Sequence, residues 1–259
     1  MAVGKGWEGV VLKLLRGKDF TFTVTGAQDV TADYRRVHFT DGGLLAAVGE
    51  SLHPTMWVRV WFEGAARPHQ RAYTLVDPDP RAGTFSFEFA LHGGVASAWA
   101  RTAAPGDTID ATVQGTGFTT PAPAPERLLV IGDPASLPAV NSLLDSFPRT
   151  PATIWFETQH ASDADLPVRL DPARHEIRRV PRDGTALADR VRAELPELVG
   201  DPSSAYVWLA CDTATTRTLT SYLRKELGLP KQRVNGLGYW RAGAEAAAAA
   251  GAASAKAEG

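Results

Sequence analysis

From Phe20 to Gly115 apolar and polar side chains alternate over short runs, and from Leu128 onward the alternation gives way to longer apolar stripes. The first texture predicts strands at Phe20 to Val24, Tyr34 to Thr40, Met56 to Phe62, Arg71 to Asp77, Phe85 to Leu91 and Thr108 to Gln114, because period two puts one face on a core. Six short strands separated by turn residues imply an antiparallel β-barrel. The segment Thr119-Thr-Pro-Ala-Pro-Ala-Pro-Glu126 cannot continue a ladder, since proline has no donor and a fixed φ, and it reads as a linker. After it, Leu128 to Ile131 is an unbroken apolar run of the buried-strand kind. Leu137, Val140, Leu144 and Phe147 then recur at helical spacing, with Asp133 placed as N-cap and Pro134 at the first helical position. Further strands are expected at Thr153 to Glu157, His175 to Val180 and Ala205 to Ala210. Helices are expected near Thr185 to Leu195 and over Thr213 to Leu227, the last with Arg224 and Lys225 in its final turn and Gly228 beyond. Strands alternating with helices imply a parallel α/β sheet with right-handed crossovers.

This pattern divides the chain into an N-terminal extension 1–18, a barrel 19–118, a linker 119–126, an α/β domain 127–243 and an Ala-rich tail 244–259. Trp7, Val10, Val11, Leu14 and Leu15 fall at helical spacing and suggest a small helix packed on the body. The tail reads as frayed helix or disorder. The apolar run Val10 to Leu15 is too short and too charged for a signal peptide or membrane span, so no membrane insertion is expected.

With 27 basic and 29 acidic side chains and a net charge of -2, there is no electrostatic footprint for a nucleic-acid partner. The single cysteine, Cys211, rules out an intramolecular disulfide framework and a cysteine-ligated iron-sulfur cluster, and it favours the cytoplasm. His38, His53, His69, His160 and His175 lack ligand spacing, so neither zinc nor mononuclear iron is expected. Nothing calls for an obligate partner, and a monomer is expected.

The densest chemistry lies in Arg71-Ala-Tyr-Thr74 and in the segment Leu91-His-Gly-Gly-Val-Ala-Ser97. On a strand Arg71 and Tyr73 share one face, and Ala72 and Thr74 the other. An Arg can bridge phosphate oxygens, a Tyr ring can stack on a flat heterocycle, and a Thr hydroxyl can bond a ring nitrogen. Val95 to Thr102, free of Gly and Pro, predicts a short helix behind the Gly93-Gly94 turn, and such a start favours a pyrophosphate. The alternative is a strand, a turn and a helix that merely pack together.

In doubly wound sheets ligands lie beyond the carboxyl ends of the strands, which points to Gly132, Asp133, Glu157 and Asp212. No G-x-G-x-x-G follows the first strand. Glu157, ending the second strand, would accept hydrogen bonds from a ribose diol and repel a 2′-phosphate, a weak lean to NADH over NADPH; a solvated Glu beside Asp163 and Asp165 is the alternative. Cys211 reads as a small buried side chain at a strand end.

The pair R-x-Y-T and H-x-G-x-A-S-x-W resembles the siderophore-interacting protein family, a branch of the ferredoxin-reductase-like flavoproteins. Leu128-Leu-Val-Ile-Gly-Asp-Pro-Ala-Ser-Leu-Pro138, Tyr206-Val-Trp-Leu-Ala-Cys-Asp212 and Gly238-Tyr-Trp-Arg241 are similar to later family motifs, and the resemblance covers roughly Asp19 to Gly243. Val95 stands where the family usually has Pro, and Asp212 where it usually has Glu. Gly132-Asp-Pro-Ala replaces the Gly-Thr-Gly turn frequent in the superfamily.

The resemblance implies FAD held by Arg71, Ala72, Tyr73, Thr74, Leu91, His92, Gly94, Val95, Ala96 and Ser97. It also implies NADH or NADPH at Gly132, Asp133, Glu157 and Asp212, and a ferric siderophore near Arg67, His69, Trp240 and Arg241. The expected activity is FAD-dependent, NAD(P)H-driven reduction of ferric siderophores that releases iron(II). Alternatives are a general flavin or ferredoxin-coupled reductase and a non-catalytic siderophore-binding protein.

Overall fold

The computed structural model describes residues 17–64, 68–114 and 116–241. The N-terminal helix expected around Val10 to Leu15, the substrate candidate Arg67 and the Ala-rich tail lie outside the described residues. The chain divides into two compact units that part between Phe118 and Thr119.

The first unit is a curled antiparallel sheet: β1 (Asp19–Thr31), β2 (Tyr34–Thr40), β3 (Trp57–Phe62), β4 (His69–Thr74), β5 (Val76–Asp79), β6 (Thr84–Ala90) and β7 (Thr108–Thr112). The order is β4-β3-β7-β1-β2-β6-β5. Seven strands stand where six were expected, because the run Arg71 to Asp77 is two strands, β4 and β5, at opposite edges of the sheet. Leu75 lies between them, its N–H donating to the Met56 carbonyl at 2.8 Å. Leu75 and Val76 are both buried, so alternation fails at that point, and Asp77 turns with φ 48°. One covalent step thus links the two edges and curls the sheet into a half-barrel.

Its core is rich in rings, with Phe22 packed edge-on against Phe85 at 4.9 Å and Phe39 stacked on Phe85 at 5.5 Å. A short helix, α1 (Leu44–Val48), was not foreseen. The Asp41 carboxylate accepts from the N–H groups of Gly43 and Leu45, which starts the turn and buries Leu44, Leu45 and Val48. At Gly42, φ is 55° and a Cβ would lie 2.1 Å from the Thr21 carbonyl oxygen, so only glycine fits there. Helix α2 (Val95–Thr102) forms as expected and packs on β2, β3 and β6.

The second unit is an all-parallel sheet of β8 (Arg127–Gly132), β9 (Ala152–Thr158), β10 (His175–Pro181), β11 (Ala205–Ala210) and β12 (Val234–Gly236), in the order β10-β9-β8-β11-β12. Helices α3 (Leu137–Ser146), α4 (Ala186–Val199) and α5 (Thr213–Lys225) connect them. β11 is buried along its whole length, as a strand covered on both faces must be. Helix α4 continues past Pro196, where the pattern predicted an end. Proline leaves the Arg192 carbonyl without its i→i+4 donor, and the Tyr222 hydroxyl supplies a replacement at 3.3 Å. β12 escaped the pattern because it is three residues long and includes Gly236, where a Cβ would meet Thr220 Oγ1 at 2.5 Å. The strand order reverses between β8 and β11.

Candidate functional site

In the first unit the two motifs meet on one ring cluster. Tyr73, half-buried on edge strand β4, packs on Phe89 of β6 at 4.5 Å between centroids and on Phe62 of β3 at 5.8 Å. The same two rings face Trp99 of α2 at 6.0 and 5.8 Å. The aromatic cluster therefore joins Tyr73 to the helix whose start was expected to hold a pyrophosphate. Burial pushes the Tyr73 phenol up, with Arg71 opposing, so it stays a neutral donor at physiological pH. Register sets Arg71 opposite Val60 and Tyr73 opposite Val58, so the two side chains share a strand face, as read from the alternation. Arg71 is exposed; its guanidinium donates to the Gln70 carbonyl at 2.9 Å and has no carboxylate partner among the described residues. Ala72 is exposed, Thr74 buried, and His69 half-buried on β4.

The turn into α2 is built by its own groups. Ser97 Oγ accepts from the His92 N–H at 3.0 Å, and His92 Nδ1 accepts from the Gly94 N–H at 3.0 Å. That second bond requires an unprotonated Nδ1. Ser97, Ala96 and Leu91 are buried, so they shape the turn from beneath. Gly94 is the N-cap and supplies no side-chain acceptor. The N–H groups of a helix's first turn have no intrahelical acceptor, and here they carry the positive end of the dipole. A Cβ at Gly94 would come within 2.6 Å of the His92 ring, so glycine lets that ring fold over the turn.

In the second unit the residues expected at the carboxyl ends of the strands do gather, but around partners the pattern did not reveal. Asp133 is 1% exposed; its Oδ1 accepts from the Ser136 N–H at 3.0 Å and its Oδ2 from the Trp240 indole N–H at 2.6 Å. Ser136 Oγ accepts in return from the Asp133 N–H, completing a capping box. Burial pushes the Asp133 carboxyl up to about 6; the nearby Glu157 charge adds to this, while the bonds from Trp240 and Ser136 and the Arg182 charge oppose it. At Gly132 a Cβ would meet Ser136 Oγ at 2.7 Å.

Glu157 is also buried and pairs with Arg182, whose Nε lies 2.7 Å from Oε2. Arg182 bonds Gln159 as well, at 2.5 Å, and lays its guanidinium 4.3 Å from the centroid of the Trp240 ring. Asp212 caps α5, accepting from the N–H groups of Ala214 and Thr215 at 2.8 and 3.1 Å. Cys211 is buried against Thr216 Oγ1, and burial holds its thiol protonated. Sequence reasoning missed Arg182, although its place one residue beyond β10 is a signal. It also assigned Asp133 and Trp240 to different ligands, whereas they bond each other. Arg241 is exposed. Among the described residues, no group of His, Cys, Asp or Glu could hold a metal ion.

The family described as siderophore-interacting protein matches residues 125–243, and the siderophore-interacting FAD-binding domain matches residues 46–113. The chain belongs to the siderophore-interacting protein family.

Among relatives of this chain, a mycobactin import ATP-binding/permease protein of Mycolicibacterium thermoresistibile is 34% identical over 251 residues, 93% of this chain. The chain spans only 27% of that relative's length. An uncharacterized protein of Mycobacterium tuberculosis is 30% identical over 192 residues, which cover 69% of this chain and 67% of the relative. The solved siderophore-interacting protein of Acinetobacter baumannii has a TM-score of 0.73 at 19% identity, covering 93% of this chain and 98% of that one. A ferredoxin-NADP+ reductase from Plasmodium falciparum has a TM-score of 0.66 at 12% identity, covering 87% of this chain and all of that one. Half-barrel plus parallel sheet is thus the ferredoxin-reductase-like fold.

The donor set of the first unit fits FAD. Arg71 has no anionic partner among the described residues, the α2 start has no side-chain cap, and Tyr73 presents a ring anchored on Phe89. The second unit differs. The starts of α3 and α5 are closed by aspartates, so neither offers a pyrophosphate the uncapped donors found at α2, whereas α4, behind β10, starts at Thr185 without a side-chain cap.

Proposed function

We propose that this chain is an FAD-dependent reductase that uses a reduced pyridine nucleotide to reduce iron(III) held by a siderophore, in the cytoplasm and as a monomer. The reading is carried by one observation: Tyr73 and the uncapped start of α2 share the Phe62–Phe89 cluster in the unit that matches the FAD-binding domain. Bound FAD supplies the exchange between a two-electron hydride donor and one-electron acceptors. One nicotinamide nucleotide, giving up a hydride, accounts for two ferric centres brought to iron(II).

The chain's own part is placement. Arg71 and the first-turn N–H groups of α2 hold the pyrophosphate, Tyr73 holds a ring, and the buried Ser97 keeps the turn in shape. Siderophores release iron(II) far more readily than iron(III), so release asks for no protein ligand. His69 of the first unit and Arg241 of the second are each candidates for contact with the ferric chelate, with Arg67 as a further one. Arg182 neutralises much of the charge that Glu157 would turn on a 2′-phosphate, so the preference for NADH over NADPH is small. The relatives named for mycobactin import bear on siderophore handling as the shared part, since the chain matches about a quarter of their length.

The test is an anaerobic assay of purified protein with FAD, NADH or NADPH and a panel of ferric chelates, with iron(II) trapped by ferrozine. Yellow protein and iron(II) formed in step with nucleotide oxidation are expected. Protein that takes up no FAD defeats the proposal, and flavin reduction without iron(II) identifies a general reductase instead.

A further inference from the structure

Trp240 is held at three points. Its carbonyl accepts from both the N–H and the hydroxyl of Thr213, each at 2.8 Å, and its backbone pairs with Asp212 in a parallel bridge. Its indole N–H is tied to Asp133 and one of its faces is covered by Arg182, which Glu157 and Gln159 hold in turn. The anchors come from the carboxyl ends of β8 and β11, the two strands flanking the reversal of strand order, where ligands of parallel sheets lie. The result is a half-buried indole, immobilised at that point, with no ring or cation on its second face among the described residues.

Three carboxylates, Asp133, Glu157 and Asp212, gather around the buried Cys211 thiol, and Arg182 pairs with Glu157 beside them. That balance disfavours an anionic ferric chelate or a phosphate and suits a neutral or cationic flat ring. Pyridine nucleotides carry such a ring: nicotinamide is neutral when reduced and cationic when oxidised. The aspartate caps also close the two helix starts behind β8 and β11, which flank Trp240, so ring contact has to contribute more of the binding there.

We propose that the face of Trp240 turned away from Arg182 is the stacking surface for the nicotinamide ring of the donor. This rests on the reductase reading and moves Trp240 from the siderophore to the nucleotide. Asp133 and Arg182 are positioning residues that fix the indole.

The test is calorimetric titration of the full chain with NAD+ and with ADP-ribose, which lacks only the nicotinamide, the 2′-phosphorylated pair being run in parallel. Trp240→Ala is expected to weaken NAD+ binding about tenfold, as loss of a stacking ring does, and to leave ADP-ribose binding within about twofold. Trp240→Phe keeps a ring and should fall between. If the alanine variant folds poorly, Trp240→Leu gives the same comparison without an aromatic face. Equal losses for both ligands, or a loss for neither, overturn the stacking surface while leaving the donor reading intact. Wild-type protein that binds no pyridine nucleotide overturns both.

Discussion

Helix α2 of the first unit and helices α3 and α5 of the second all begin at a turn behind a strand, and they are finished in opposite ways. α2 starts at Gly94, with no side-chain cap. The turn leading into α3 starts at Asp133 and α5 starts at Asp212, and each aspartate accepts first-turn N–H groups. The same kind of orphan donors are therefore left for a ligand at α2 and taken up in part by the protein at α3 and α5. An N-terminal aspartate stabilises its helix but puts negative charge where a phosphate would sit. Stability and anion binding compete for the same few N–H groups, and α2 on one side and α3 and α5 on the other resolve that competition differently.

The largest effect is expected on the ligand side of this contrast. Arg71→Ala removes the cation beside the uncapped start, and FAD retention should fall by about 1.5 to 3 kcal/mol, the value of a hydrogen bond to a charged group. Fluorescence titration of the FAD-free protein measures it. Unchanged affinity would detach Arg71 from the site and leave α2 holding phosphate alone.

Asp133 provides the next effect, on the capped side. Its carboxyl titrates near 6 in the folded chain against an ordinary value of 3.8. The folded state therefore binds more protons between those values, and this group's contribution to stability falls as pH rises through that window, then stays low above it. Two units correspond to at most about 3 kcal/mol. Asp133→Asn, which removes the charge but turns its amide nitrogen on one of the two N–H donors that the carboxylate satisfies, should be better tolerated at pH 8 than at pH 4 by about 1 to 2 kcal/mol. Glu157, Arg182, Trp240 and Ser136 surround the group, so the measurement is chemical denaturation at both pH values. Equal stability changes at both would mean that the cap outweighs the buried charge.

Asp212→Ala follows, with a loss of about 1 kcal/mol typical of a removed N-cap. Thermal denaturation should show it.

How far this contrast was legible follows from the range of each interaction. The helix after Gly94 and the Asp133 cap rest on contacts within a few residues, and the strand Ala205–Ala210, though its partners are distant, shows itself as an unbroken apolar run, so local pattern carries all three. The split of Arg71 to Asp77 into two edge strands was hidden, because only barrel closure shows that Leu75 and Val76 both turn inward. Arg182 was hidden for the same reason: its partners Glu157 and Trp240 are 25 and 58 positions away, and no periodicity links them. Arg36 likewise looks like a solvated strand cation in sequence, and it pairs with the buried Glu88 across β6.

The smallest effect asks whether α2 is uncapped at some cost in rigidity. Val95 occupies its first helical position, where proline is the residue best suited, since the N–H there has no intrahelical acceptor and φ is already near the proline value. The preceding residue must then be extended, and Gly94 already is, with φ -91° and ψ 167°. Val95→Pro should therefore stabilise the FAD-free protein by about 0.5 kcal/mol through a restricted unfolded chain. It also deletes one of the N–H groups available to a pyrophosphate, so the two consequences oppose each other once FAD is bound. Thermal shifts with and without FAD separate them: a gain in the free protein that shrinks on loading would show that the Val95 N–H itself takes part in holding the phosphate. A gain of equal size in both states would show that the remaining donors of the turn suffice.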